Sequence, residues 1–157
     1  MSPVVDERTL ISTFFDRRRT AGRPARADVI LGIGDDAAVL RLDPGFDLVM
    51  ATDSIAEGTH FPAGTPAASV GHRCLAVNLS DIAAMAAEPL WFSLALSLPE
   101  ADEEWVGEFA RGLFALLRHW RPARVVEDGR GFSTELAADV TLRFLSDSLE
   151  LTPIEPY

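Results

Sequence analysis

The stretch from Thr65 to Ala87 constrains the fold more than any other part of this sequence. It is alanine-rich and mostly apolar, with Val70, Cys74, Val77 and Ile82 spaced along it. It opens on Thr65-Pro66, a capping threonine followed by proline at the first helical position. The pattern predicts one long helix, and its apolar character predicts that the helix is buried. Two polar residues, Asn78 and Asp81, fall one turn apart on the same face. An aspartate inside such a helix is costly unless it is paired, hydrogen-bonded or metal-bound.

The remaining elements are shorter. Asp6 can cap a first helix over 6–18, with Leu10, Ile11, Phe14 and Phe15 as its apolar stripe. Three β-type segments follow at 29–31, 37–42 and 47–51, the last two joined by Pro44-Gly45 as a hairpin. Residues 90–98 read as a central strand. Pro99 to Asp102 open a second amphipathic helix, with Trp105, Phe109, Leu113, Leu116 and Leu117 on one side, running to Trp120. Residues 124–126 and 134–145 each read as a strand. The order α-β-β-β-α-β-α-β predicts an α+β fold, a mixed or antiparallel sheet with helices on one face.

The length of 157 residues suits one domain, and 48% hydrophobic residues suffice for a core. The formal charge of −10 disfavours a nucleic-acid surface, which needs excess positive charge. The bases are all arginine; the absence of lysine excludes a P-loop, a protein-kinase fold and Schiff-base chemistry. A phosphate ligand would have to be held by metal ions, backbone N–H groups, helix N-termini or arginine. The single cysteine, Cys74, excludes an internal disulfide framework, and His60, His72 and His119 lack metal-ligand spacing. No run of about 18 apolar residues is present and the N-terminus does not read as a secretory signal, so a cytoplasmic protein without a membrane span is expected.

Acidic residues close several apolar segments. Asp35 and Asp36 follow the glycine turn Gly32-Ile33-Gly34, Asp53 ends the segment DLVMAT, and Asp81 lies in the long helix. Three converging carboxylates would suit Mg²⁺, which takes oxygen ligands and keeps waters or substrate phosphates in its shell. Gly32 and Gly34 would let backbone N–H groups approach a phosphate. The alternatives are ordinary: glycine-aspartate pairs are common turn chemistry, one of Asp35 and Asp36 can serve only as a cap, and Asp53 can be a turn residue. His60, in a Gly-Thr-His-Phe-Pro loop, reads equally as a surface residue, and Cys74 as core.

The ordered strings LGIGDDAAVL, ATDSIAEGTHF and VGHRCLAVNLSDIAAMAAEPLWFSLALSLP resemble the N-terminal domain of the bacterial thiamine-monophosphate kinases. That family shares a superfamily with aminoimidazole ribonucleotide synthetase and selenophosphate synthetase. The resemblance implies transfer of the γ-phosphate of ATP to thiamine monophosphate with Mg²⁺, giving thiamine diphosphate. It also implies an α/β half-domain whose sheet pairs with that of a second copy, so that a homodimer forms a barrel. Carried over, Asp36, Ala51 (through its backbone), Thr52, Asp53 and Asp81 resemble metal-binding positions, and His60 a position that contacts thiamine monophosphate. Gly34 and Asp35 fall where phosphate or nucleotide would lie.

The resemblance covers residues 6–120 and divides the chain into a kinase-like domain over 1–120 and a divergent tail over 121–157. Where the family carries G-G-D-T, this sequence reads Arg124-Val-Val-Glu-Asp-Gly-Arg-Gly131; Asp128 stands nearest to the metal-binding aspartate, with Val126 and Glu127 in the glycine places. The family's C-terminal domain has no counterpart in the sequence. Two further readings therefore stay open: a non-catalytic dimerisation module or remnant of such a kinase, and a related ATP-dependent synthetase of the superfamily.

Overall fold

The computed structural model describes residues 6–16, 27–119 and 137–144. Helix α1 (Glu7–Leu10) starts where the Asp6 carboxylate accepts the Thr9 N–H at 2.7 Å, the expected cap. It widens at once into a π-helical turn over Ile11–Phe15. Asp16 then leaves helical backbone space, with ψ 84°, so the helix ends before the expected 18. This short element serves to bury Leu10 and Phe15, and Phe15 meets Phe114 at a ring separation of 6.3 Å.

Strands β1 (Val29–Leu31) and β2 (Val39–Leu40) form an antiparallel pair with an irregularity between Val29 and Leu31. The expected hairpin of 37–42 with 47–51 is not formed: β2 pairs backward with β1, and Arg41 N–H closes the pair onto Asp28 C=O at 2.8 Å. Residues 47–51 have no strand partner among the described residues, and Leu48, Val49 and Met50 are exposed.

Helix α2 (Ala67–Ala84) is the long alanine-rich element. Thr65 does not cap it. Its hydroxyl donates to Pro62 C=O at 2.7 Å, and Pro66, whose carbonyl accepts the N–H groups of Ser69 and Val70, occupies the cap position. The helix ends in a Schellman motif: Ala87 N–H bonds Ile82 C=O at 3.1 Å and Ala86 N–H bonds Ala83 C=O at 3.0 Å. That motif puts Ala86 at φ 52°, the left-handed region where glycine is at ease. One face of α2 is buried, through Val70, Gly71, Leu75 and Leu79, which narrows the expected burial of this helix to a stripe.

Strand β3 (Trp91–Leu98) alternates: Leu94 and Leu98 enter the core while Ser93, Ala95 and Ser97 are exposed. It pairs in parallel with β4 (Ala137–Phe144), from Trp91 opposite Ala137 to Leu98 opposite Phe144. The crossover is helix α3 (Glu103–His119), begun by Asp102, whose carboxylate accepts the Trp105 N–H at 3.0 Å. Val106, Phe109, Ala110, Leu113 and Phe114 repeat at helical spacing and form its buried stripe.

The α+β class therefore holds, but among the described residues the strands form two separate pairs, one antiparallel and one parallel. The core is a single cluster in which α2, α3, β3, α1 and Ile33 meet. Helices α2 and α3 cross at backbone contact. A Cβ built on Gly71 would lie 2.1 Å from Phe109 O, and one on Gly112 would lie 1.8 Å from Ala68 O. Two glycines, one on each helix, make that approach possible.

Candidate functional site

The glycine turn after β1 is held at its middle. Ile33 is buried in the core, Gly34 adopts φ +106°, and Asp35 and Asp36 are carried outward into solvent. Asp35 bends back on its own backbone, one carboxylate oxygen accepting the Asp36 N–H at 2.8 Å. It is a local side-chain-to-backbone bond to the next residue, and both carboxylates stay exposed.

The second segment runs through Ala51, Thr52 and Asp53, of which Ala51 is half-buried and the other two are exposed. A side chain of α2 bonds its backbone. Asn78 of α2 accepts the Asp53 N–H through Oδ1 at 3.0 Å, and its Nδ2 donates to Cys74 C=O at 3.0 Å. The Thr52-Asp53 segment is thereby fixed to α2 one turn before Asp81. The Cys74 thiol is half-buried, and burial pushes its pKa up.

The third segment is the loop Glu57 to Phe61. Gly58 turns it at φ +79°, and Gly58 N–H bonds Phe61 C=O at 2.8 Å. His60 takes part in the same turn: its Nδ1 accepts the Ala56 N–H at 3.0 Å. The neutral ring therefore carries its proton on Nε2, which stays free of this bond, on an exposed side chain.

Asp81 is exposed, which corrects the expectation of a buried carboxylate needing compensation. The reason is geometric. The buried stripe of α2 passes through Val70, Leu75 and Leu79, and Asp81 lies off it. The acids are not gathered either: among the described residues no group of three or more His, Cys, Asp or Glu side chains is placed to hold one metal ion. The structure joins Thr52-Asp53 to the Asn78–Asp81 turn of α2 and leaves Asp35 and Asp36 on a turn of their own. Asp128 lies outside the described residues. The role of Asn78 was readable only as a polar residue one turn from Asp81; its partner, 25 positions earlier, was not.

An open apolar cleft of about 2360 Å³ runs between residues 46–56, the Cys74–Ile82 face of α2 and strand β3. That exceeds the about 300–1,000 Å³ of small-molecule pockets. Phe46 and Met50 are 73% and 78% exposed along it, and Ile30, Leu31, Val39, Leu40, Leu42 and Leu48 are exposed in the same stretch of chain. Among the described residues no helix is long and apolar enough to cross a membrane.

Comparisons with known proteins give the family. Residues 34–125 match the family of the AIR synthase related protein, N-terminal domain. A thiamine-monophosphate kinase of Salmonella typhimurium is 46% identical over 114 residues, covering 73% of this chain and 34% of the relative. The Methanocaldococcus jannaschii thiamine-monophosphate kinase is 40% identical over 88 residues, covering 55% of this chain and 28% of that protein. The crystal structure of the thiamine-monophosphate kinase from Stenotrophomonas maltophilia K279a superposes with a TM-score of 0.66 at 39% identity, covering 90% of this chain and 39% of that one. The chain thus spans about a third of the length of the curated relatives it matches. By the match over residues 34–125, it belongs to the AIR synthase related family as an N-terminal domain, with the thiamine-monophosphate kinases as its relatives.

Proposed function

We propose that the chain carries the metal-binding half of an ATP- and Mg²⁺-dependent kinase that phosphorylates thiamine monophosphate to thiamine diphosphate. The observation that supports this best is the Asn78–Asp53 hydrogen bond, which sets the Thr52-Asp53 segment against the turn of α2 that bears Asp81. The donor types suit Mg²⁺, although they are not gathered on one ion: carboxylates of Asp36, Asp53 and Asp81, the Thr52 hydroxyl and the Ala51 carbonyl are hard oxygen ligands. Mg²⁺ is commonly held by one or two carboxylates, with water and substrate phosphates completing its shell, so dispersed acids are sufficient. When bound, the ion would neutralise charge on the phosphate oxygens during transfer.

The chain's own groups would position and orient. Gly34 and Asp35, on the turn after β1, would bring backbone N–H groups to nucleotide phosphate without a lysine. His60, its Nδ1 already engaged by Ala56, would present Nε2–H as a donor to thiamine monophosphate. In the reaction a phosphate oxygen of thiamine monophosphate attacks the γ-phosphorus of ATP, the bond to the bridging oxygen breaks, and ADP leaves. Catalysis of this kind rests on positioning and charge, and the chain needs no covalent nucleophile.

A second reading is favoured by two specific observations, the uncovered apolar face and the separation of Asp35 and Asp36 from Asp53. It is a module that pairs with a second copy of this chain or of a homologue, without turnover of its own. Exposed apolar surface of this extent is rare on monomers and marks an interaction face. In the kinase reading the same face supports a homodimer. The test is incubation of the purified chain with Mg²⁺, ATP and thiamine monophosphate, and direct measurement of thiamine diphosphate. Product that disappears in Asp81→Ala supports the kinase. Absence of product from a chain that forms a discrete dimer in light scattering selects the pairing module.

A further inference from the structure

The metal reading assigns roles to Asp53 and Asp81 but none to the residue that joins their two elements. We infer that Asn78 is a positioning residue: its carboxamide holds the Thr52-Asp53 segment on α2, in register with Asp81. The inference rests on that metal reading and adds a residue to it. Both ends of the carboxamide are used. Nδ2 donates to Cys74 C=O, four residues back in the same helix, and this fixes the rotation of the group, so that Oδ1 faces the Asp53 N–H. Asparagine is a poor residue for a helix interior, and a half-buried asparagine there is tolerated because both its polar ends are satisfied.

The segment depends on this bond. Residues 47–51 have no strand partner among the described residues, so no sheet ladder holds their end in place. Ile55 packs against the core two residues after Asp53, and His60 ties Ala56 into the next turn. Between those anchors and the exposed stretch before it, the Asp53 amide is the point where the backbone is fixed to α2. Without the tether, Thr52 and Asp53 would move independently of Asp81, and a ligand reaching both elements would lose a fixed pair of donors.

The test uses Asn78→Leu, which keeps the shape and removes both hydrogen bonds, and Asn78→Asp, which keeps an acceptor for Asp53 N–H. The first readout is amide hydrogen exchange at Asp53, with Phe109 and Leu113 in the α3 core as controls. The second is Mn²⁺ binding followed by electron paramagnetic resonance. Asn78→Leu is expected to speed Asp53 exchange about fivefold, as loss of one hydrogen bond would, with the control amides unchanged. Its Mn²⁺ affinity falls, while Asn78→Asp keeps the Asp53 amide protected. Unchanged Asp53 exchange in Asn78→Leu overturns the tether. Faster exchange with unaltered Mn²⁺ affinity overturns the positioning role and leaves Asn78 structural. A parent chain that binds no Mn²⁺ refutes the metal reading itself, and the positioning role with it. If Asn78→Leu does not fold, Asn78→Ala takes its place: unchanged Asp53 exchange in it, with the controls intact, overturns the tether.

Discussion

Substituting Gly112 by alanine would force apart the two helices that make the core. The new Cβ would start 1.8 Å from Ala68 O and 2.5 Å from Ala68 C, both backbone atoms that no rotamer change can move. Reaching the 3.4 Å of ordinary contact requires α2 and α3 to separate by about 1.6 Å. A gap of about 0.5–1 Å already forfeits a quarter to a half of the dispersion attraction between facing atoms, so Val70, Phe109 and Leu113 would all lose contact. Alanine gains about 1 kcal/mol over glycine in helix propensity, while overpacking costs about 1–3 kcal/mol and more where the backbone must shift. With the cost at the top of that range, we expect a net loss of about 2 kcal/mol, a fall in Tm of about 4–8 °C for a chain of this size. Urea unfolding followed by the fluorescence of Trp91 and Trp105 measures it. Gly107→Ala is the control: the nearest atoms to its Cβ would be those of the Phe14 ring, at 3.0 Å, and a side chain can yield. Equal stability of Gly112→Ala and the parent, or a gain equal to the helix-propensity difference, would refute backbone contact between the helices.

Three other outcomes follow from local features. Ala86→Gly should raise stability by about 0.5–1 kcal/mol in the same unfolding assay, because Ala86 holds φ 52° at a Schellman position that glycine adopts without strain. The Asp6 carboxyl is held below its ordinary value by the Thr9 hydrogen bond, so its contribution to α1 is present above that ordinary value and lost as pH falls through the lowered one; a titration of the Thr9 amide shift with its midpoint above the ordinary carboxyl value would contradict this. Under the proposed pairing of two copies through the apolar face, Phe46→Ser with Met50→Ser should leave only monomer in light scattering without lowering the urea midpoint, since both side chains are exposed in the single chain. A lowered midpoint would show that they pack within it.

The helices were legible in the sequence because their signals are local. The stripe Val106, Phe109, Ala110, Leu113 and Phe114 repeats every three to four residues, and Asp6 and Asp102 sit where caps belong. The β3 and β4 segments were legible for the same reason, as was the α+β class. The pairing was not. Nothing in 37–42 or 47–51 says whether β2 turns forward or back, because a two-residue strand is decided by backbone partners elsewhere in the chain. Thr65-Pro66 carried a capping signal that a competing bond to Pro62 overrode.

The sequence by itself determined which residue types are available: oxygen donors without lysine, a glycine turn bearing two aspartates, and a helix carrying Asn78 and Asp81 on one face. Tertiary structure alone decided how they are used. Composition marked α2 as buried, but a helix against a single neighbouring layer buries only one stripe, and Asp81 lies off that stripe. Gly71 and Gly112 gain their meaning only where α2 crosses α3, since a missing side chain matters when another backbone occupies its place. The Asn78–Asp53 bond joins residues 25 positions apart. Periodicity records the spacing within an element; which faces of two elements meet depends on the packing of all of them together.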